Sequence, residues 1–250
     1  SKAQELGFAE ADPTMDISGE DAAYKCAILA AVAFKIDVQQ SEIFYEGIDH
    51  ISLKDIDYAT DLGYSIKLLC FGLRQGDNEF QLHVYPALIP AHHPLSGVSN
   101  EFNAVYILGD HVGESMLMGK GAGAFPTASA VISDVIDLCF NISQDVSHRN
   151  LETSFLRANL LPFESLETQF FLRIHVQNKP GALEQITLQF SNLNISIEKL
   201  IQKDSSESTA EIVIVSNKIL QTTFSQLCSN IEALETCISI DSKIRLHKTL

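Results

Sequence analysis

Residues 10–25 read EADPTMDISGEDAAYK, and this acidic stretch decides how the rest of the chain is interpreted. It holds five carboxylates, interrupted by a proline and a glycine, directly before an apolar run that begins at Cys26. Ser18 followed three residues later by Asp21 is typical of an N-terminal helix cap. The stretch therefore predicts a helix from about Gly19 onward.

Asp21 and Lys25 are four residues apart on that helix, so they share one face. One interpretation is an ordinary surface ion pair, worth about 0.3–0.5 kcal/mol. The other is an acid–base pair that faces a pocket bounded by Glu10 and Asp16. The residue types alone leave both interpretations open.

Composition narrows the class of protein. The 250 residues are 46% hydrophobic and 20% charged, which is typical of a folded globular chain. The formal charge of −15 argues against a nucleic-acid surface, because phosphate contacts need clustered Lys and Arg. A small polar ligand is the better partner.

Targeting and cysteine patterns point to the cytoplasm. The longest uninterrupted apolar run, residues 27–34, is too short to span a bilayer. Glu5 and Glu10 do not suit a signal peptide, so we expect a cytoplasmic protein without a membrane segment. The five cysteines are scattered without a CxxC pair, so neither a disulfide framework nor a zinc site is expected.

Periodicity up to residue 142 predicts a mixed α+β domain. A helix over 22–34 is nearly continuously apolar, so we expect it to be buried on most sides. A strand with a turn at Gly47 is expected over 44–51. The other predicted elements are an amphipathic helix over 52–62 with Leu53, Ile56, Ala59 and Leu62 on its apolar stripe and Gly63 at its end, antiparallel strand pairs over 64–72 with 80–88 and 104–108 with 114–118, and a helix over 128–141.

Composition changes after residue 142. Residues 143–168 are polar and are interpreted as a linker. Residues 169–250 then follow the order βαββαβ, which predicts a ferredoxin-like sandwich with two helices on one face of an antiparallel sheet.

Several blocks of the first 142 residues, in identity and in order, resemble homoserine dehydrogenase. The blocks are the acidic stretch itself, GYSIKLL at 63–69, VYPALIPAHHPLSGV at 84–98, NAV at 103–105 and GKGAGAFPTASAV at 119–131, followed by Asp134. The resemblance implies that residues 1–142 are the substrate-binding and catalytic domain of an oxidoreductase. This family interconverts L-aspartate 4-semialdehyde and L-homoserine in threonine, methionine and isoleucine biosynthesis.

The resemblance also implies roles for individual residues. Glu10 and Asp16 would bind the amino-acid substrate, Asp21 would orient it, and Lys25 would pass a proton to the developing alkoxide. Phe8 stands where the family often has Tyr, so one hydroxyl is lost. Gly121, Ala122, Gly123 and Thr127 would contact the nicotinamide end of NAD or NADP.

The family places a dinucleotide-binding domain before this point, and no strand followed by GxGxxG precedes residue 10 here. We therefore expect the chain to be the C-terminal portion of a larger enzyme and inactive alone. A homodimer or homotetramer is expected.

Residues 169–250 resemble the ACT domain, because the turn NKPGAL at 178–183 has the pattern N-x-P-G-x-L. Such domains bind a small amino acid near this turn and act in allosteric regulation. Threonine is the effector we expect, and its contacts would be Asn178, Gly181, Ala182, Leu183 and Asn194. One alternative is a threonine-sensing and dimerisation module without activity of its own, and another is that residues 169–250 serve only in dimerisation.

Two further features are interpreted as structural. Lys67 lies on an otherwise apolar strand, where a lysine more often extends its ammonium to the surface than takes part in catalysis. His92 and His93 are adjacent and have no acid or cysteine to complete a ligand set, so no metal site is expected.

Overall fold

The structure, a computed structural model, describes residues 12–146, 156–203 and 206–249. Its helices are α1 Thr14–Ser18, α2 Glu20–Phe34, α3 Leu53–Asp61, α4 Ala124–Ser143, α5 Ala182–Asn192 and α6 Gln221–Glu232. Its strands are β1 Ile36–Asp37, β2 Phe44–Tyr45, β3 Tyr64–Arg74, β4 Glu79–Pro90, β5 Phe102–Gly109, β6 Gly113–Lys120, β7 Leu156–Arg157, β8 Asn159–Leu160, β9 Glu167–Gln177, β10 Ile197–Lys203, β11 Thr209–Ser216, β12 Ile219–Leu220 and β13 Cys237–Leu246. Short 3₁₀ turns cover Gln40–Glu42, Pro94–Gly97 and Phe163–Ser165.

The chain divides into two compact units. The first combines Ser1–Met15 with His92–Leu156, and the second combines Asp16–Ala91 with Arg157–Leu250, as far as these ranges are described. This division reflects which residues lie close together in the folded chain, not their order in the sequence. The boundaries at residues 142 and 168 that the sequence suggests stay a prediction, although β8 and a 3₁₀ turn lie inside the expected linker.

The larger unit is built on a nine-stranded mixed sheet in the order β10-β11-β9-β13-β4-β2, with β3, β8 and β12 paired to it. The antiparallel pairing of β3 with β4 is confirmed over its full length, from Tyr64↔Pro90 to Arg74↔Phe80. Helices and a mixed sheet in one chain confirm the α+β class.

Residues 167–246 fold as β9-α5-β10-β11-α6-β13, with the short β12 added before α6. Their sheet order, β10-β11-β9-β13, is the order of a ferredoxin-like sandwich. Side chains that alternate along β9 separate its two faces. Phe170 and Ile174 pack with Ile186 of α5, whereas Phe171 lies on the other face with Tyr58 of α3.

The ferredoxin-like strands join the preceding sheet directly. Strand β13 runs parallel to β4, with Arg245 opposite Ala87 and Leu246 opposite Leu88. The last strand of the chain is therefore in hydrogen-bonding register with the central strand of residues 16–91.

Two expectations about burial are wrong. Helix α2 buries only Ala23, Cys26 and Ala30, and Val32 is 66% exposed, so one face is buried within this chain. On α3 the expected apolar stripe is displaced, because Leu53 is 80% exposed whereas Asp55 is fully buried. Asp55 is drawn inward by an arginine from β9, which local periodicity does not reveal.

The smaller unit holds the β5–β6 hairpin and α4. The hairpin pairs from Phe102↔Lys120 to Gly109↔Gly113, as predicted. Helix α4 begins at Ala124 rather than at residue 128, because a proline is tolerated in the first helical turn, where no intrahelical N–H is needed.

Helix α4 is also long and apolar enough to cross a membrane, by length and composition only. Those two criteria are weak evidence, and the helix carries Asp134 and Asp137, which are costly inside a bilayer.

Candidate active site

The candidate catalytic pair lies in the first turns of α2. Gly19 precedes the helix in the left-handed conformation, with φ 81°, and its carbonyl accepts the first helical hydrogen bond from Ala23 at 3.0 Å. Asp21 and Lys25 then meet one turn apart, with 2.5 Å between Nζ and Oδ2. The sequence-predicted pairing of these two side chains is present.

The predicted Ser18–Asp21 capping arrangement does not form. Ser18 Oγ accepts from the Glu20 amide at 3.3 Å, and Gly19 occupies the N-cap position. A glycine with positive φ makes the turn between α1 and α2 that a serine cap would have made.

The pair is accessible in this chain. The side chain of Lys25 is 58% exposed and that of Asp21 is 37% exposed. Asp16 lies one turn earlier, in α1, and is also exposed. Glu10 and Phe8 lie outside the described residues. Three of the four residues assigned to substrate and proton transfer thus lie within one ten-residue segment.

The loop after β2 holds the segment 16–25 in place through backbone contacts. The Ile48 amide donates to the Ile17 carbonyl at 2.9 Å. A Cβ placed on Gly47 would lie 2.1 Å from that carbonyl oxygen, and one on Gly19 would lie 3.1 Å from the Glu46 carbonyl oxygen. These backbones approach so closely that position 47 must be glycine.

The candidate cofactor loop lies in the smaller unit, between β6 and α4. Gly121 donates its amide to the Glu101 carbonyl at 2.8 Å. Gly123 is the N-cap of α4, with φ 116°, and Thr127 Oγ1 returns a hydrogen bond to its carbonyl at 2.9 Å. Gly119, the first residue of the GKGAG block, lies in β6.

A side chain missed by sequence reasoning shapes this loop. A Cβ on Gly121 would lie 2.0 Å from Asn103 Nδ2, so the amide of Asn103 rests against the Gly121 backbone. Both residues line an open cavity of about 300 Å³ with residues 104–105 and 117–120. Of the four residues predicted to contact the cofactor, Gly121 lines this cavity, whereas Ala122, Gly123 and Thr127 are not among its lining residues. The NAV block contained Asn103, but no role followed from its residue types.

The candidate effector turn lies at the start of α5. Gly181 is its N-cap in the left-handed conformation, with φ 87°, and Asn178 Nδ2 donates to the Ser206 carbonyl at 2.6 Å. Ala182 is buried and Leu183 packs on the core of the ferredoxin-like sandwich. Asn194, with φ 55°, precedes the strand β10.

His93, one of the two adjacent histidines considered above as metal ligands, has a local structural role. Its Nδ1 accepts from the Leu95 amide at 3.2 Å, and its ring stands edge-on to Tyr106, 4.9 Å between centroids. Within the described residues no group of three His, Cys, Asp or Glu side chains is arranged to hold a metal ion.

The chain is similar to known proteins in both sequence and structure. The homoserine dehydrogenase family model matches residues 1–136. Curated homoserine dehydrogenases from Bacillus subtilis and Neisseria gonorrhoeae are each 40% identical over 98% of this chain, which covers 57% and 58% of their lengths. The crystal structure of a homoserine dehydrogenase from Thiobacillus denitrificans superposes with a TM-score of 0.88 at 37% identity, over 99% of this chain and 57% of that one. The chain thus spans less than two thirds of each of these relatives.

Proposed function

Because this chain belongs to the homoserine dehydrogenase family, we propose that it is the substrate-binding and regulatory portion of an enzyme that interconverts L-aspartate 4-semialdehyde and L-homoserine. The observation that carries the proposal is the pairing of Asp21 with Lys25 at the start of α2, with Asp16 exposed in the preceding helix α1. The reaction belongs to the biosynthesis of threonine, methionine and isoleucine, and we place it in the cytoplasm.

The charge of each candidate site residue suits its proposed role. The substrate carries an ammonium group, so the carboxylates of Glu10 and Asp16 bind it. Asp21 holds the substrate in the orientation that the reaction needs, which accounts for a large part of enzymatic rate enhancement. NAD or NADP, when bound, accepts hydride from homoserine or donates it to the semialdehyde.

Lys25 handles the proton. During semialdehyde reduction the carbonyl oxygen becomes an alkoxide, and the ammonium of Lys25 donates a proton to it; in the reverse direction the neutral amine accepts the hydroxyl proton. Such a lysine works best when its proton affinity is close to the working pH. We infer that the complete protein encloses Lys25, whose side chain is 58% exposed in this chain.

The cofactor contacts of this chain are Gly121, Ala122, Gly123 and Thr127. Most of the NAD or NADP site, including the choice between the two, belongs to a dinucleotide-binding domain outside this sequence. We therefore propose that residues 1–250 alone do not turn over substrate.

The experiment is direct. The complete gene product should reduce NAD or NADP in the presence of L-homoserine, and the isolated 250-residue chain should not. Absence of homoserine-dependent reduction by the complete product would refute the proposed activity. Turnover by the isolated chain would refute the proposal that residues 1–250 need a dinucleotide-binding domain for activity.

A second candidate function concerns the ferredoxin-like sandwich, which we propose is an ACT domain that binds threonine. The favouring observation is the turn at 178–183, where Gly181 caps the start of α5, because a helix N-terminus favours a carboxylate group. Threonine is an end product of the pathway, so its binding would inhibit the enzyme.

We also propose that the protein is a homodimer or homotetramer. Helix α4 exposes eight large apolar side chains, among them Phe125 at 90% and Ile142 at 79%. Apolar surface on this scale marks an interaction site. Sedimentation of the complete gene product as a monomer would refute this point.

A further inference from the structure

Arg245, near the end of β13, is buried in an aromatic cage and makes one strong ion pair. Its guanidinium carbon lies 4.7 Å from the ring centroids of both Tyr85 and Phe163. Its Nε donates to Gln221 Oε1 at 3.1 Å, and its NH1 donates to Glu46 Oε2 at 2.7 Å. The Arg245 side chain is 7% exposed, so this cation is fixed in place and its charge is met by Glu46.

Glu46 is in turn fixed at several atoms. Its second carboxylate oxygen lies 3.1 Å from His50 Nε2, and its backbone amide donates to the Val84 carbonyl at 2.9 Å. The side chain is 27% exposed, so water competes only in part with Arg245. The backbone of Glu46 is therefore held by β4 and its carboxylate by β13.

The residues after Glu46 carry this constraint to the candidate catalytic helix. Gly47 packs on the Ile17–Ser18 backbone, and Ile48 donates to the Ile17 carbonyl. The Glu46 carbonyl lies against Gly19, the N-cap from which Asp21 and Lys25 follow. A movement of the Glu46 loop thus changes the starting point of α2.

We propose that Glu46, held by Arg245, is a positioning residue for Asp21 and Lys25. Among the described residues, neither side chain forms a hydrogen bond or ion pair with Asp16, Asp21 or Lys25, and their role is to fix the turn from which α2 starts. This inference rests on the proposed function for its effect on turnover, but not for its effect on the helix itself.

The test uses the complete gene product with Glu46→Gln, which keeps the shape of the side chain and removes its charge. We expect kcat for homoserine oxidation to fall about tenfold, because small displacements of catalytic groups are costly. The cofactor KM should stay unchanged. The matched control is Glu232→Gln. It removes an exposed carboxylate of α6 that pairs with Lys243 of β13, the strand that carries Arg245, and it should change neither kcat nor the cofactor KM.

A second readout does not depend on activity. Backbone hydrogen exchange of residues 23–25, the first bonded amides of α2, should be faster in Glu46→Gln than in the wild type and unchanged in Glu232→Gln. If Arg245 acts through Glu46, adding Glu46→Gln to Arg245→Met should bring no further loss of kcat. Should Arg245→Met fail to fold, Arg245→Lys replaces it, since lysine keeps the buried positive charge but not the guanidinium geometry that holds Glu46.

The outcomes separate the two proposals. An active wild type whose kcat and exchange are both unchanged by Glu46→Gln overturns the positioning role. A lower melting temperature with unchanged kcat also overturns it, because a merely structural ion pair behaves in that way. A wild type without homoserine-dependent activity overturns the proposed function, and faster exchange in Glu46→Gln would then still support the positioning of α2.

Discussion

Arg173 on β9 and Asp55 on α3 are 118 residues apart in the sequence and form a buried ion pair, with 2.9 Å between Nε and Oδ1. Their side chains are 7% and 0% exposed. The same guanidinium lies 2.9 Å from Glu211 Oε2 on β11. Burial raises the pKa of the Asp55 carboxyl, but hydrogen bonds from Arg173 and Ser52 outweigh it and leave the pKa below its ordinary value. The pair therefore fastens α3 to the ferredoxin-like sheet.

Removing the cation should destabilise the fold strongly. Arg173→Met leaves Asp55 buried without its arginine and leaves Glu211 with Lys54 as its remaining cation, so we expect the free energy of unfolding to fall by about 3–5 kcal/mol. Urea denaturation of the complete gene product measures this. Lys243→Met is the control, because its pair with Glu232 is exposed and worth less than about 1 kcal/mol. Equal losses in the two variants would show that the buried pair is not stabilising.

His83 should make the protein sensitive to mild acid. Burial, together with the charge of Arg245, lowers the pKa of His83 from 6.5 to about 4. The unfolded chain binds this proton near pH 6.5 and the folded chain only near pH 4, so stability is complete above pH 6.5 and declines as pH falls towards 4. Neither ring nitrogen has a hydrogen-bond partner among the described residues.

We therefore expect His83→Leu to remove about 3 kcal/mol of the stability loss between pH 6.5 and pH 4. Denaturation midpoints measured across that range test the prediction. His111→Leu changes an exposed histidine and should leave the pH dependence as it is. A wild-type slope that persists in His83→Leu would rule out His83 as its source.

Gly121 and Asn103 should behave as a coupled pair. In Gly121→Ala the new methyl group would collide with the Asn103 amide, so the candidate cofactor loop must shift. We expect the cofactor KM to rise about tenfold or more, which corresponds to about 1.4 kcal/mol. Adding Asn103→Gly removes the obstacle and should restore most of the affinity. No recovery in the double variant would mean that the loop is shaped by something else.

Threonine should bind at the start of α5. Isothermal titration of the complete gene product with threonine should give saturable heat, and Asn178→Ala should weaken binding about tenfold. That substitution removes the hydrogen bond that ties the turn to the Ser206 carbonyl. Gln189→Ala, at a partly exposed position farther along α5, should bind threonine normally. No heat at millimolar threonine would count against an effector role.

Local patterns predicted the elements better than they predicted burial. The hairpin predicted over 104–108 and 114–118 is found as Phe102–Gly109 paired with Gly113–Lys120, because strand and turn patterns are local signals. The helix start near Gly19 is also where the sequence predicts it, although the Ser18–Asp21 cap on which that prediction rests does not form.

Contacts between distant segments were not predictable in this way. Asp55 replaces Leu53 on the buried face of α3 because its partner comes from β9, 118 residues later. Glu46 and Arg245 are 199 residues apart, and nothing in either local sequence indicates the pair. Asn103 acquires its role only because hairpin pairing brings it to Gly121.

The central claim is that Lys25 transfers the proton, and Lys25→Ala in the complete gene product tests it most directly. We predict that homoserine-dependent cofactor reduction falls at least about hundredfold, as expected for loss of a general acid–base group. The circular dichroism spectrum and the cofactor dissociation constant should not change, and Lys243→Ala, a surface lysine, should retain full activity. If Lys25→Ala keeps most of the wild-type turnover, the pair with Asp21 is only a helix-surface ion pair and the proposed site is wrong.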